Sequence, residues 1–149
     1  MHLVQQLTPF TCGLACVESI TTDAGRPITQ AQLMVRFKGL LLQTIPNVGI
    51  FGATNQLVLA AILQDLGFQV FPGKDHRKDV MREALKKAKY ALICAHHQLK
   101  DHHCWRFEMV VDDDHITAMN PGFFLPSPQV DTIAMDDLIK WDYSFVVVA

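Results

Sequence analysis

Apolar positions recur at helical intervals over the first third of the chain and at two-residue intervals over much of the last third. Residues 11–22 place Leu14, Val17 and Ile20 three apart, about one helical turn, with Glu18 beside them and Thr11 available as the N-cap. Asp23-Ala24-Gly25-Arg26-Pro27 ends that helix. Thr29 caps a second one over 30–37, in which Leu33, Val35 and Phe37 are expected to cover the core. Residues 39–52 are apolar but broken by Pro46, Gly49 and Gly52, which predicts a loop. Thr54 opens a third helix over 55–66, closed by Gly67, with Leu57, Ala60, Ala61 and Leu63 expected inside.

The period then changes. Residues 68–71 read as a short strand, 79–89 as an amphipathic helix with its basic residues outward, and 90–95 as an apolar strand. Over 104–111, Trp105, Phe107, Met109 and Val111 alternate with Cys104, Arg106, Glu108 and Val110, the pattern of a strand with two unlike faces. Asp112-Asp113-Asp114-His115 makes a hairpin turn, 116–119 returns as the partner strand, and Asn120-Pro121-Gly122 ends it. A helical turn over 136–140 and a strand over 143–149 complete the chain. Helices first and an antiparallel sheet second is the segregated order of an α+β fold, and 149 residues fit one domain spanning 1–149.

Composition narrows the function. Half the residues are hydrophobic and 19% are charged, enough apolar surface for a core and too much for a disordered chain. Thirteen basic residues against fifteen acidic ones, with no long run of either sign, argue against a nucleic-acid partner. The longest apolar runs, 57–63 and 145–149, fall short of the roughly 20 residues of a membrane helix, so no membrane partner is expected. Residues 1–10 lack the basic start and apolar stretch of a secretory leader, so the expected location is the cytoplasm, or outside by a route without a classical signal peptide. Cys12, Cys16, Cys94 and Cys104 are expected as reduced thiols, and CxxC spacing is absent.

Cys12 is the first candidate for chemistry. It is followed by Gly13 and stands where a helix begins, and the positive end of a helix stabilises a thiolate. The alternative is a buried cysteine acting as a small apolar residue. Gln6 precedes it by six residues, enough for the chain to turn and set a side-chain N–H beside the sulfur; with the Cys12 backbone N–H it would form an oxyanion hole. His102 and His103 lead one strand and Asn120 ends its partner, so hairpin pairing draws them together as base and orienter. Cys94, His96, His97, His102, His103 and Cys104 are all zinc-ligand types, but they lack the spacing of a zinc knuckle; no metal is expected there, and Asp112–Asp114 reads as a solvated turn.

Taken together, these residues resemble the papain-like cysteine peptidases that cleave bacteriocin precursors after a double-glycine leader, and their stand-alone bacterial relatives. The opening motif of that family is a glutamine, five residues, then Cys-Gly, as in Gln6 to Cys12-Gly13. The likeness continues through the Gly-Ala-Thr helix start at 52–54, the strand over 90–95, the histidine-led strand, the strand ending before Pro121, and Trp141 ahead of the last strand. It implies a papain-like α+β fold with N-terminal helices packed on a C-terminal antiparallel sheet. It further implies Cys12 as nucleophile, His103 as general base and acid, Asn120 as orienter and Gln6 as oxyanion donor. The family's usual aspartate is replaced by Asn120, as in papain itself. His103 is preferred to His102 because its separation from Asn120 is closer to the family's.

The expected activity is thiol-dependent cleavage of a peptide or protein through an acyl-enzyme, with no cofactor. The same triad also suits a glutamine deamidase or an acyl or amide transferase acting as effector or toxin, and an inactive peptide-binding module of this fold is the third possibility. Substrate and oligomeric state are left open.

Overall fold

Nine of the twelve residues of one helix are buried, and the rest of the fold is arranged around it. The computed structural model describes residues 2–7, 11–41, 56–73, 77–96, 102–110, 114–122, 127–140 and 142–148; of these, the side chains of 56, 72, 73, 78, 93–96, 102–110, 138–140 and 142–147 are not described. The elements are α1 (Cys12–Asp23), α2 (Gln30–Arg36), α3 (Gln56–Asp65), β1 (Val70–Gly73), α4 (Lys78–Lys87), β2 (Tyr90–His96), β3 (His102–Val110), β4 (His115–Asn120), β5 (Gln129–Ala134), α5 (Met135–Lys140) and β6 (Asp142–Val148). The strands pair antiparallel in one sheet, in the order β1-β6-β2-β3-β4-β5.

Local chemistry sets most helix ends. Both α1 and α3 close in Schellman motifs: Arg26 N–H reaches the Thr21 carbonyl and Gly25 N–H that of Thr22, while Phe68 N–H reaches Leu63 and Gly67 N–H reaches Gln64. Gly25 and Gly67 hold φ of 76° and 90°, the left-handed region these motifs require. Thr29 caps α2 through a full capping box with Gln32. Thr11 holds the N-cap position of α1, but its hydroxyl makes no capping bond there.

The core joins α1 (Leu14, Ala15, Cys16, Val17, Ile20) to Leu33 and Phe37 from α2 and its end, Leu59, Ile62 and Leu63 from α3, and Leu92, Met119 and Val148 from the sheet. Ladder register accounts for the sheet's share: Leu92 pairs with Arg106 and Arg106 with Met119, so all three positions share one face. The opposite face is covered as well. Ala91, Ile116, Ala118 and Ile133 are buried outside that cluster, where α4 (Met81, Leu85) meets β3 and α5 (Met135) meets β5. Helices therefore lie on both faces: the N-terminal ones pack on the sheet as expected, and α4 and α5 cover its other side. Among the described residues, no helix is long and apolar enough to cross a membrane.

Several other expectations need correcting. Val35 and Leu57 are exposed at 80% and 67%, because the buried stripes of their helices run through Leu33 and Phe37, and through Leu59, Ile62 and Leu63. The alternation of 104–111 holds only to Phe107. There the register shifts, Phe107 pairing with Ala118 and Met109 with Thr117, so Glu108 is an extra residue in the ladder. The strand β5 was assigned no element from sequence. Pro72 sits in β1, an outer strand, where a missing N–H costs no interior ladder bond. Thr54, most of 39–52 and 111–113 of the hairpin turn lie outside the described residues.

A Cβ added at Gly67 would meet the Arg26 guanidinium at 3.3 Å, and that guanidinium is held by the Leu66 carbonyl and lies 4.3 Å from the centre of the Phe68 ring. With the left-handed φ as well, Gly67→Ala should lower stability by about 1–2 kcal/mol, read as an earlier midpoint in urea unfolding. Val35→Gln, on an exposed helix face, should leave the midpoint within about 0.5 kcal/mol of the parent.

Candidate active site

The segment before α1 is built into the domain rather than trailing from it. His2 N–H donates to the Asp23 carboxylate, and the Ser19 hydroxyl donates to the His2 carbonyl, so the segment begins beside the C-terminal half of α1. Val4 N–H meets the Met119 sulfur, and two residues on Gln6 N–H donates to the Pro121 carbonyl at 3.0 Å. The segment thus advances residue for residue with the end of β4, and the Gln6 side chain is buried.

Gln30 holds this arrangement in place. Only 2% exposed, its amide oxygen accepts from Leu7 N–H at 3.1 Å and its amide nitrogen donates to the Gln5 carbonyl at 2.8 Å, gripping the backbone on either side of Gln6. The Glu18 carboxylate stands 3.4 Å from the same nitrogen, which fixes which end of the amide is the donor. Gln5 Nε2 adds a bond to the Gly122 carbonyl.

Cys12 is the first residue of α1 and is 5% exposed; Cys16, one turn on, is fully buried. No acidic side chain lies in the first turn of α1, so the helix itself sets no carboxylate at the positive end of its dipole. Of all the strands, α1 packs most closely on β3, the strand of the candidate histidines.

His103 pairs with Ala95, and His102 with His96. The β3–β4 register pairs Arg106 with Met119 and Phe107 with Ala118, which runs the start of β3 toward the end of β4, where Asn120 stands. Asn120 is half-buried and held at both ends: Gly122 N–H donates to its Oδ1 at 3.0 Å and its Nδ2 donates to Asp131 at 2.9 Å.

The Gln6 backbone thus meets the chain just after Asn120 at the end of β4, and Cys12 opens α1, the helix that packs on β3. The imidazoles and the remaining side chains of the zinc-type group, among them Cys94 and Cys104, lie outside the described residues, and among those described no three metal-ligand side chains gather. Gln30 and Asp131 escaped sequence reasoning. Neither lies in a motif, and each acts on a neighbour's backbone or amide.

No family model matches the chain, and no curated protein does. Solved structures do match in fold. The peptidase domain of Streptococcus ComA, a bi-functional ABC transporter involved in quorum sensing, superposes with a TM-score of 0.69 at 14% identity, covering 97% of this chain and 96% of that one. A double glycine motif protease from an AMS/PCAT transporter, in complex with the leader peptide, gives 0.66 at 10% identity over 99% and 91%. The Streptococcus mutans ComA peptidase domain gives 0.62 at 12% identity over 100% and 99%. The chain has the papain-like α+β fold of these peptidase domains.

Gln30→Met keeps the volume and removes both backbone bonds. Stability should fall by about 1–3 kcal/mol, and the Leu7 amide should exchange with solvent faster than in the parent while amides inside α1 keep their protection.

Proposed function

We propose that this protein is a cysteine-dependent hydrolase that cleaves an amide bond in a peptide or protein, with Cys12, His103 and Asn120 as the triad and Gln6 as oxyanion donor. The observation that carries this is the bond from the Gln6 N–H to the carbonyl of Pro121, the residue after Asn120. Two halves of the chain that share no local structure are tied together where the motif residues fall. Likeness in fold to peptidase domains, one of them in complex with a leader peptide, supports a peptide as substrate.

In this mechanism the Cys12 thiolate attacks the substrate carbonyl. The oxygen that takes up negative charge receives hydrogen bonds from the Gln6 side chain and the Cys12 backbone N–H. The protonated His103 gives its proton to the leaving amine, and an acyl-enzyme remains on sulfur. Water, deprotonated by His103, then attacks the acyl carbon and releases the acid and the thiolate. Asn120 Oδ1 accepts from the imidazole Nδ1–H and so presents Nε2 to the sulfur. His103 is assigned over His102 because its separation from Asn120 is closer to the spacing of the peptidase family that the motif resembles.

Iodoacetamide reads the activated thiol directly. Near neutral pH Cys12 should alkylate faster than Cys16, Cys94 and Cys104; His103→Ala should slow it and His102→Ala should not. Equal rates at all four thiols would leave a peptide-binding module of this fold. With a cleaved peptide in hand, Gln6→Ala should lower kcat by about 10²–10³. Mass spectrometry of protein substrates against a Cys12→Ala control separates the chemistries: new termini mean proteolysis, glutamine converted to glutamate means deamidation.

A further inference from the structure

Asp131 lies on β5, where it pairs with Ala118, and so stands diagonal to Asn120 on the same face of the sheet. Its Oδ2 accepts from Asn120 Nδ2 at 2.9 Å, and its Oδ1 accepts from Gln129 Nε2 at 3.2 Å. At the other end of the Asn120 amide, Gly122 N–H donates to Oδ1. An asparagine amide has two orientations, related by a half-turn, and a triad tolerates only one. With oxygen toward the imidazole it accepts the Nδ1–H; turned over, it offers an N–H and favours the wrong tautomer. The partners here leave no choice. An ionised carboxylate can only accept and a backbone N–H can only donate, so nitrogen faces Asp131 and oxygen faces Gly122. A carbonyl oxygen accepts two hydrogen bonds, and Gly122 takes one of them.

We propose that Asp131 is a positioning residue: it fixes the orientation of Asn120 and supplies, one residue behind the imidazole's partner, the negative charge that an asparagine lacks. The proposal rests on the triad reading above. It makes the Asn120–Asp131 pair a single unit, in which a neutral amide transmits the field of a carboxylate held out of contact with the histidine. The bond between them is charge-assisted, and the other oxygen of the carboxylate accepts from Gln129.

The unit predicts a specific pattern of substitution. Asp131→Leu removes the acceptor. Asn120→Asp alone sets two carboxylates in contact, which then share a proton. The exchange Asn120→Asp with Asp131→Asn restores one carboxylate and one amide, with the carboxylate now facing the histidine. The rate of Cys12 alkylation by iodoacetamide is measured against pH for each folded protein, folding being checked by circular dichroism and thermal unfolding. Asp131→Leu should slow Cys12 at neutral pH by about ten- to a hundredfold and move its profile toward that of an ordinary thiol, while Cys16 is unchanged. Asn120→Asp should also be slow, and the exchanged pair should return to within about threefold of the parent. The side-chain NH₂ resonances of Asn120 give a readout independent of reactivity: one of its protons should be protected from exchange in the parent and lose that protection in Asp131→Leu. A parent whose Cys12 is no faster than its other thiols overturns the triad reading, and this role of Asp131 with it. A parent with an activated Cys12, whose profile Asp131→Leu leaves unmoved, overturns the role of Asp131 alone. If Asp131→Leu does not fold, an exchanged pair that folds but stays as slow as Asn120→Asp has the same force.

Discussion

The site depends on one backbone hydrogen bond, from Gln6 N–H to the Pro121 carbonyl. It joins a segment that precedes α1 to the end of β4, more than a hundred residues later, and neither part has a local reason to find the other. Bonds from Val4 to Met119 and from Gln5 to Gly122 flank it, so the segment is laid along the strand end rather than touching it once. A stretch too short and irregular to count as a strand thereby acquires a fixed register. That register decides which side chain stands beside the start of α1.

The same economy governs the polar groups around it. Both candidate amides, Gln6 and Asn120, have their positions set by another residue: Gln30 grips the backbone on either side of Gln6, and Asp131 with Gly122 fixes both ends of Asn120. In each case an ionised acceptor stands at the nitrogen end of an amide, Glu18 near Gln30 and Asp131 at Asn120, which removes the near-symmetry that makes amides poor positioning groups. Where such a group is buried, as Gln30 is, removal of its partner leaves a desolvated donor or acceptor behind.

Much of this was legible in the sequence wherever the physics is local. The capping box at Thr29, the left-handed glycine after α3, the alternation up to Phe107 and the order of helices before strands each follow from a few neighbouring residues. The failures have distant causes. Val35 and Leu57 look like core residues, and only the packing of α2 and α3 decides that their neighbours are buried instead. Glu108 fits perfect alternation, and the register shift becomes visible only against β4. The strand β5 buries little beyond Ile133, so it carries almost no apolar signal; its existence comes from pairing with β4 along its whole length. Asp131 was hidden with it, for a residue that acts through a neighbour across a ladder has no spacing of its own in the sequence.

The strand order has a consequence for how the molecule is made. The β6 strand inserts between β1 and β2 and, among the described residues, is the strand with which β1 pairs. The β1 and β6 strands must therefore wait for residues 142–148, and Val148, buried in one core cluster with residues of α1 and α3, closes that cluster at the same moment. The nascent protein can form its helices and the β2-β3-β4-β5 meander early, but the final closure is a long-range event of the slow, high-contact-order kind. The thiol at the start of α1 is therefore seated in a finished interior only once residues 142–148 have taken their place in the sheet.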